Sequence, residues 1–252
     1  MYTKHPMLHG ICRISKNESG MAITYAIGDI HGRDALLERM HARIVHDPYR
    51  LKDETRPTVI HLGDYIDGGP ESHKVLDRVM KGFDAFETIA LLGNHERLML
   101  DCLETDDRDV WWSWLSNGGD RALKAFGIPF SMNGYSSRAL KEAVGEQRIR
   151  WLRSLPIYHI VDEYLFVHAG IVPGVPLGEQ RTNDMLWIRA PFLESETDHG
   201  YIVVHGHTQT EEPDVKKNRI GIDTGAARPK TLTAVALSRQ KPPRFLSVSE
   251  DR

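Results

Sequence analysis

A pattern that recurs along this chain restricts the folds it can adopt. In it, a short apolar run is followed closely by glycine and by residues able to bind a metal. Four runs have this layout, namely residues 23–27, 58–62, 86–92 and 201–204. They lead into Gly28-Asp29-Ile30-His31-Gly32, Gly63-Asp64-Tyr65-Ile66-Asp67, Gly93-Asn94-His95-Glu96 and His205-Gly206-His207-Thr208. A fifth run, residues 165–167, leads into His168-Ala169-Gly170 without a leading glycine. Short apolar runs of this kind are typical of buried strands.

Residues that follow the strands of an α/β sheet meet at one edge, which is where ligand sites form. Glycine lets the backbone turn sharply there, so that neighbouring side chains point at a common centre. Carboxylate, imidazole and amide oxygen ligands together suit Mn²⁺, Fe or Zn²⁺ rather than Ca²⁺. One carboxylate can bridge two such ions about 3.5–4 Å apart. The pattern therefore predicts a site for divalent metal ions.

Each segment alone is weak evidence for such a site. An isolated Asp-x-His sequence is more often a surface turn than a pair of ligands, and His205 and His207 are both compatible with ordinary strand-end histidines. Five such segments in one chain are much harder to explain by packing alone. We therefore favour one metal centre to which all of them contribute.

The order of the elements indicates the fold class. In the first half, strand-like runs alternate with helical periodicity, and in the second half strand-like runs follow one another closely, after one helix expected at residues 140–152. This order predicts an α/β (α+β) fold with two packed mixed β-sheets flanked by helices. Residues 1–20 are polar and aperiodic, so we expect a loosely packed N-terminal extension and then a single domain, residues 21–252.

Composition excludes several classes of protein. The net charge is −3, from 32 basic and 35 acidic side chains, so no nucleic-acid partner is expected. No apolar run approaches the roughly 18 residues that a membrane span needs, and residues 1–20 do not read as a secretory signal. Cys12 and Cys102 are too few for a disulfide framework, which favours a cytoplasmic location. Nothing in the sequence specifies an oligomeric state.

Taken together, the five motifs resemble those of the calcineurin-like metallophosphoesterases. More narrowly, they resemble the bacterial and phage branch of the phosphoprotein phosphatases (PPP), which are serine/threonine protein phosphatases. Two further segments agree with that branch, Trp114-Leu115-Ser116-Asn117-Gly118-Gly119 and Leu186-Trp187-Ile188-Arg189. The resemblance implies the αββα sandwich of this superfamily, with residues 21–252 as the catalytic domain.

The resemblance also implies two divalent metal ions as cofactors, with Mn²⁺ expected first and Fe or Zn²⁺ as alternatives. Six residues would hold them: Asp29, His31, Asp64, Asn94, His168 and His207. Asp29 and His31 would bind the first metal, and Asp64 would bridge the pair. The three remaining ligands would complete the second site.

Catalytic and substrate-binding roles follow from the same resemblance. His95 would be the general acid that protonates the leaving alkoxide, and Asp67 would orient it. A histidine of near-neutral pKa beside a carboxylate suits that task. The alternative for His95 is a packed or ligand-supporting residue. Asn94 and Arg189 would contact the substrate.

Two positions depart from the patterns of the family. Many superfamily members have a second histidine where Gln209 stands, and its absence favours the PPP branch. Gly68 stands where that branch has an arginine that grips the phosphate. Restoring that contact should stabilise the transition state, and each 1.4 kcal/mol of stabilisation is a factor of ten in rate. Gly68→Arg is therefore expected to raise kcat/KM by about tenfold or more.

Three functions follow, in order of preference. The first is a serine/threonine protein phosphatase, in which a metal-bound hydroxide attacks phosphorus in line and the substrate is a phosphoprotein or another phosphoester. The second is a dinucleoside-polyphosphate (Ap4A-type) hydrolase, for which the missing arginine at position 68 leaves room. The third is a catalytically impaired protein that binds a phosphorylated ligand, and Gly68 is its only support.

Overall fold

The apolar runs form strands in the computed structural model, which describes residues 23–50, 56–83, 85–129, 131, 134–228, 231–239 and 241–250. Within those residues the strands build two five-stranded mixed sheets. The first contains β1 (Thr24–Ile27), β2 (Thr58–His61), β3 (Glu87–Ala90), β9 (Thr231–Leu237) and β10 (Arg244–Ser249), in the order β10-β9-β1-β2-β3. The second contains β4 (Tyr158–Val161), β5 (Tyr164–Val167), β6 (Ile202–His205), β7 (Asp214–Val215) and β8 (Arg219–Gly221), in the order β4-β5-β6-β8-β7.

Strand direction brings the metal-capable segments to one edge of each sheet. In the first sheet β1 runs parallel to β2, with Ala26 opposite Ile60, and β2 runs parallel to β3. In the second sheet β5 and β6 run parallel, with Phe166 opposite Val204, and β8 runs in the same direction. Parallel strands end at the same edge, so the segments that follow them are neighbours.

The two sheets pack face to face over an apolar core. Its buried side chains come from both sheets: Ala26, Ile60, Leu62, Leu91, Val235 and Leu237 from the first, and Tyr164, Phe166, Val204, Ile220 and Ile222 from the second. Side chains of two sheets that interdigitate in this way form the interior of a sandwich. The predicted pair of packed mixed sheets is confirmed.

Helices cover the outer faces of the two sheets. Those that share an apolar cluster with the first sheet are α1 (Asp34–Val45), α2 (Ser72–Lys81), α3 (Asn94–Cys102), α4 (Arg108–Trp114), α5 (Asp120–Ala125), α6 (Ser137–Val144) and α7 (Glu146–Ser154). Those that pack on the second sheet are α8 (Thr182–Trp187) and α9 (Ala190–Leu193). A π-helical turn, Leu115–Gly119, joins α4 to α5, and a 3₁₀ turn, Leu177–Glu179, precedes α8.

The single helix expected at residues 140–152 is wrong, because the structure has two helices, α6 and α7, in that region. Gly145 separates them and has a φ of 84°. A residue with this left-handed backbone cannot continue an α-helix, and glycine adopts it at little cost. The buried residues of α6, Leu140 and Val144, and those of α7, Ile149 and Leu152, are out of phase for one continuous helix, and Gly145 is the signal in the sequence that marks the break.

Two other expectations concern the limits of the chain. Residues 1–20, expected to be a loosely packed extension, lie outside the described residues, so both the extension and the start of the domain at residue 21 stay predictions. Among the helices that the structure describes, none is long and apolar enough to cross a membrane.

Candidate metal centre

The loops that follow β1 and β2 are joined through their backbones. The N–H groups of Ile30 and His31 both donate to the carbonyl oxygen of Asp64, at 3.0 and 2.9 Å. The N–H of Gly32 donates to the carbonyl oxygen of Tyr65 at 2.8 Å. Hydrogen bonds between two strand-end loops fix their relative position, so His31 and Asp64 are neighbours before any ligand is considered.

Left-handed backbone conformations are concentrated at this edge. His31, Asp64, Asp67 and His207 have φ values of 48°, 52°, 67° and 62°, and Asp162 is the one other non-glycine residue with a positive φ among the residues described. Such conformations cost about 1–3 kcal/mol each and persist where the surrounding structure imposes them, which happens most often at functional sites. The strained positions coincide with residues that the sequence singled out.

The first group of possible ligand atoms comes from His31, Asp64 and His95, and all its atoms lie within 4.8 Å of one another. His31 Nε2 is 3.6 Å from Asp64 Oδ2, and His95 Nε2 is 3.7 Å from the same oxygen. The other ring nitrogen of His31, Nδ1, is 3.1 Å from the carbonyl oxygen of Ile66. A bond from Nδ1 to a carbonyl fixes the tautomer that leaves the Nε2 lone pair free for a metal.

The second group comes from Asp64, His168 and His207. His168 Nε2 lies 3.4 Å from Asp64 Oδ1 and 2.7 Å from Asn94 Oδ1. His207 Nδ1 lies 2.9 Å from the same Asn94 oxygen. His168 Nδ1 is held by the carbonyl oxygen of Leu62 at 2.9 Å. Asp64 therefore belongs to both groups, with one carboxylate oxygen facing each.

Asp29 lies beside these groups but belongs to neither. Its carboxylate oxygens accept hydrogen bonds from the backbone N–H of His207, at 3.2 and 3.0 Å. Burial, followed by the negative charges of Asp223 and Asp64, raises the pKa of Asp29 well above its usual range. Buried carboxylates this close together need positive charge near them to stay ionised.

The donor set fits divalent metal ions. Imidazole nitrogens, carboxylate oxygens and an amide oxygen converge on shared positions, as Mn²⁺, Fe and Zn²⁺ require. His207 Nε2 is buried without a hydrogen-bond partner, although buried polar atoms are nearly always satisfied. A buried nitrogen without a hydrogen-bond partner, among donors of this composition, fits a residue that ligates a metal ion.

His95 is held by the carboxylate that the sequence paired with it. His95 Nδ1 is 2.6 Å from Asp67 Oδ2, and the indole N–H of Trp114 donates to that same oxygen at 3.0 Å. Asp67 is fully buried, and its backbone N–H donates to Ser72 Oγ at 3.2 Å. Burial opposes the charged form of His95, but Asp64 and Asp67 outweigh it and raise the pKa of His95 to about 9.

Glu96 organises the loop that carries the shared carboxylate. Its buried side chain accepts backbone N–H groups of Asp64 at 2.9 Å, Tyr65 at 2.7 Å, Ile66 at 3.1 Å and Gly93 at 3.1 Å. Burial and the charge of Asp64 raise the pKa of Glu96 to about 8. One carboxylate thus ties the loop after β2 to the loop after β3.

The ligand side chains shift one another's pKa values. Burial alone would raise the pKa of Asp64, but the positive charge available to His168, His95 and His31 holds it well below its usual range. Burial lowers the pKa of His207 to about 3, and His168 adds to that effect. Asp64 is therefore an ionised acceptor and His207 a neutral one, which are the protonation states that metal binding requires.

Arg189 lies at the exposed rim of the centre. Its Nη1 donates to Thr208 Oγ1 at 3.4 Å, and its charge contributes to the lowered pKa of His207. Arg189 therefore lies near the second group, and its contact with the substrate stays a prediction.

Gly68 has a structural reason to be glycine. Its φ is 65°, and a Cβ built there would lie 2.9 Å from His31 Cβ. An arginine at this position would press on a proposed metal ligand as well as add a cation. A tenfold gain in kcat/KM is therefore no longer expected from Gly68→Arg, because the substitution would add strain as well as charge.

The structure gathers most of the expected site residues around Asp64: His31, Asp67, Asn94, His95, His168 and His207. It places Asp29 against the backbone of His207 and Arg189 at the rim. Their roles as ligands, acid and substrate contact stay predictions.

Sequence reasoning missed three residues that shape the site. Trp114 was noted only as part of a family segment, and Glu96 only as part of a motif. Asp223 was not singled out as a site residue, yet its charge lies close enough to Asp29 to raise the pKa of that carboxyl. A buried carboxylate directly after a strand was the one available signal for Asp223, and no spacing rule pointed to Trp114 or Glu96.

Comparisons with known proteins agree on the family. The family model described as calcineurin-like phosphoesterase matches residues 24–230. A symmetrical bis(5'-nucleosyl)-tetraphosphatase of Paracidovorax citrulli is 36% identical over 107 residues, which are 36% of this chain and 35% of that protein. The chain spans less than half the length of the tetraphosphatases of this type that it matches first.

Two further relatives align over most of their length. Serine/threonine-protein phosphatase 1 of Salmonella typhimurium is 24% identical over 209 residues, covering 80% of this chain and 86% of that protein. A crystal structure provisionally described as a diadenosine tetraphosphatase superposes with a TM-score of 0.63 at 19% identity, covering 93% of this chain and 96% of that one. At that identity the superposition supports the fold alone.

Proposed function

This chain belongs to the calcineurin-like phosphoesterases, and from that premise we propose that it hydrolyses dinucleoside polyphosphates at a two-metal centre. The family uses divalent metal ions to hydrolyse phosphoesters, so the chain is a metal-dependent hydrolase. The substrate, the number of metals and the residues that hold them are the proposed part. We also propose Mn²⁺ as the working metal and residues 21–252 as the catalytic domain.

The observation that carries the proposal is the position of Asp64 between two groups of ligand atoms. His31 and Asp64 would hold one metal ion, with Asp29 proposed as a further ligand from beside the group, while His95, the third member of that group, is assigned the role of proton donor. Asn94, His168 and His207 would hold the other with the second Asp64 oxygen. Metal ions at these positions supply charge stabilisation at phosphorus and a water activated for attack.

The protein supplies the proton for the leaving group. Asp67 holds His95 through Nδ1 at 2.6 Å, which leaves Nε2 facing the centre, 3.7 Å from Asp64 Oδ2. A histidine oriented in this way can donate its Nε2 proton to the oxygen that departs from phosphorus. Arg189 at the rim would bind oxygens that are not displaced, since a guanidinium matches phosphate geometry.

Similarity favours a dinucleotide as the substrate, and this reverses the order of preference that the sequence suggested. Relatives described as symmetrical bis(5'-nucleosyl)-tetraphosphatases match at 29–36% identity. Symmetrical cleavage of diadenosine tetraphosphate consumes one water and gives two molecules of ADP. The bond broken is then the central phosphoanhydride, whose leaving group is a nucleoside diphosphate.

A serine/threonine protein phosphatase is the second candidate. It is favoured by the Salmonella protein phosphatase 1, which aligns with this chain over 86% of its own length, and by serine/threonine-protein phosphatase 2 of Escherichia coli, which is 36% identical over 97 residues. Its leaving group would be a serine or threonine alkoxide, which is a much poorer leaving group than a nucleoside diphosphate. The two candidates therefore place different demands on His95.

A substrate panel separates the candidates. The protein is incubated with diadenosine tetraphosphate, a phosphothreonine peptide or p-nitrophenyl phosphate, each with Mn²⁺, Fe²⁺, Zn²⁺ or Mg²⁺, and with EDTA as the control. We expect ADP as the sole nucleotide product, the highest kcat/KM for the dinucleotide, and the greatest activity with Mn²⁺. A higher kcat/KM for the peptide would replace the proposal with the second candidate. No turnover of any substrate would support the third function, a catalytically impaired protein that binds a phosphorylated ligand.

A further inference from the structure

A second exposed arginine lies at the rim of the centre, beside Gly68. We propose that Arg121 binds a phosphate group of the substrate next to the one that is cleaved, and so selects substrates with a chain of phosphates. The inference rests on the proposed hydrolysis of dinucleoside polyphosphates and gives that site a means of recognising them.

Arg121 is in the first turn of α5, directly after the π-helical turn. Its guanidinium Nη1 donates a hydrogen bond to the backbone carbonyl oxygen of Gly68. Gly68 directly follows Asp67, whose carboxylate holds His95. A cation is thereby attached to the turn that carries Asp67, the carboxylate that orients the proposed acid.

Contacts on both sides of Gly68 show how close this turn lies to the centre. A Cβ built on Gly68 would lie 2.9 Å from His31 Cβ, so one side of the turn touches a proposed ligand. A Cβ built on Gly118 would lie 3.6 Å from Asp67 Cβ and 3.7 Å from the Gly68 nitrogen. The segment that leads into α5 therefore packs directly on the wall of the site.

The guanidinium of Arg121 has donors available for an anion. Arg121 is exposed, and within the described parts of the chain no carboxylate forms an ion pair with it. A guanidinium has five N–H donors, and the bond to Gly68 uses one of them. That bond also limits the orientations of the side chain, which reduces the entropy lost when a phosphate binds.

Position decides which phosphate Arg121 meets. Asp64, Asn94 and His168 are buried, with at most 2% of each residue exposed, and the phosphate that reacts must lie among them. Arg121 is on the surface, with the turn at Gly68 between it and that group. It therefore faces the part of the substrate that extends out of the centre, which in a polyphosphate is the adjoining phosphate.

Arg121→Gln tests the inference, with Lys124→Gln as the matched control. Lys124 is an exposed cation on the same helix, one turn later. Tripolyphosphate and orthophosphate are each titrated calorimetrically into the protein at one fixed free Mn²⁺ concentration. We expect Arg121→Gln to raise the Kd of tripolyphosphate by about tenfold, which corresponds to about 1.4 kcal/mol for the lost charge-assisted contact, while the Kd of orthophosphate changes less than about twofold. Lys124→Gln should change neither.

Two outcomes would overturn the inference. An equal rise in both Kd values would mean that Arg121 supports the centre through Gly68 and does not select a phosphate chain. No change in either value would mean that Arg121 binds no phosphate. The titration needs no turnover, so a wild-type protein that fails to cleave diadenosine tetraphosphate refutes the proposed function and leaves this comparison readable. Equal melting temperatures for the two variants exclude misfolding as the cause.

Discussion

Two clusters of buried or partly buried histidines lie on the first sheet or at its edge, and they differ in whether carboxylates lie beside them. At the metal centre, His95 lies between the carboxylates of Asp64 and Asp67. In the interior, His41 of α1 meets His61 of β2 with Nε2 atoms 3.1 Å apart. His61 also lies 3.4 Å from the carbonyl oxygen of Ile89 through Nδ1.

The difference appears in the pKa values. Burial lowers the pKa of His41 to about 2, with His61 and Arg78 adding to the effect, and burial lowers the pKa of His61 to about 4. The two carboxylates beside His95 overcome burial and raise its pKa to about 9. A histidine pair without a carboxylate is a neutral packing element, whereas carboxylates make a histidine cluster able to hold charge and cations.

Removing the shared carboxylate should therefore have the largest effect. Asp64→Asn keeps the shape of the side chain but removes the charge that both ligand groups share. We expect no detectable turnover and no rise in melting temperature on adding Mn²⁺, since the bridging ligand is essential to a two-metal site. The control is Asp77→Asn, whose carboxylate pairs with Arg148 on the surface. A Mn²⁺-dependent rise in the Asp64→Asn variant would contradict the shared site.

Replacing the proposed acid should have the next largest effect. His95→Asn is expected to lower kcat by roughly 10²–10⁴ on a phosphothreonine peptide, as the loss of a general acid does. The loss should be much smaller on p-nitrophenyl phosphate and on diadenosine tetraphosphate, whose leaving groups need little protonation. Mn²⁺ should still raise the melting temperature. Equal losses on all three substrates would argue that His95 binds metal and does not donate a proton.

Trp114→Phe should have a smaller effect on kcat. It distinguishes the positioning of Asp67 by the indole N–H from the packing of the aromatic ring. The change removes the indole N–H that binds Asp67 Oδ2 at 3.0 Å and keeps an aromatic ring in the core. Hydrogen bonds to charged groups contribute about 1.5–3 kcal/mol, so we expect kcat to fall by about tenfold with KM nearly constant. Trp111→Phe is the control, because its N–H binds the Thr105 carbonyl at 2.9 Å, away from Asp67. Similar kcat losses in both variants would assign the effect to packing.

The sequence predicted the sheets and the histidines of the centre for a physical reason. Each of the five runs is short and apolar, and glycine follows most of them closely, so local patterning alone locates residues such as His31. Large aromatic side chains are likewise expected in the core, and Trp111 and Trp114 are buried, while Trp112 is 70% exposed. Side-chain volume and periodicity are enough for such statements.

The contacts that tune the site could not be read in the same way. The bond from Trp114 to Asp67 joins residues 47 apart in sequence, from the last residue of α4 to the loop after β2, and the π-helical turn between α4 and α5 packs on the same loop at Gly118. Arg121 meets Gly68 across 53 residues. No local pattern encodes either distance.

The smallest effect expected is on stability, and it concerns the pair that has no carboxylate. His41 and His61 stay neutral in the folded protein, whereas in the unfolded chain each titrates near pH 6.5. Their contribution to stability is therefore complete above pH 6.5 and is lost as the pH falls towards 4, at roughly 2 kcal/mol per histidine by pH 5.

In His41→Leu one of these histidines is gone, so the fall in the free energy of unfolding between pH 7.5 and pH 5 should shrink by about 2 kcal/mol. At pH 7.5 the variant should be less stable by about 1–3 kcal/mol, because His61 Nε2 loses its partner. His46→Leu is the control, since His46 is exposed and bonds only to the neighbouring turn of its own helix at Ala42. Urea titrations at the two pH values measure both quantities. An unchanged pH dependence in His41→Leu would show that protonation of His41 does not contribute to the acid sensitivity of this fold.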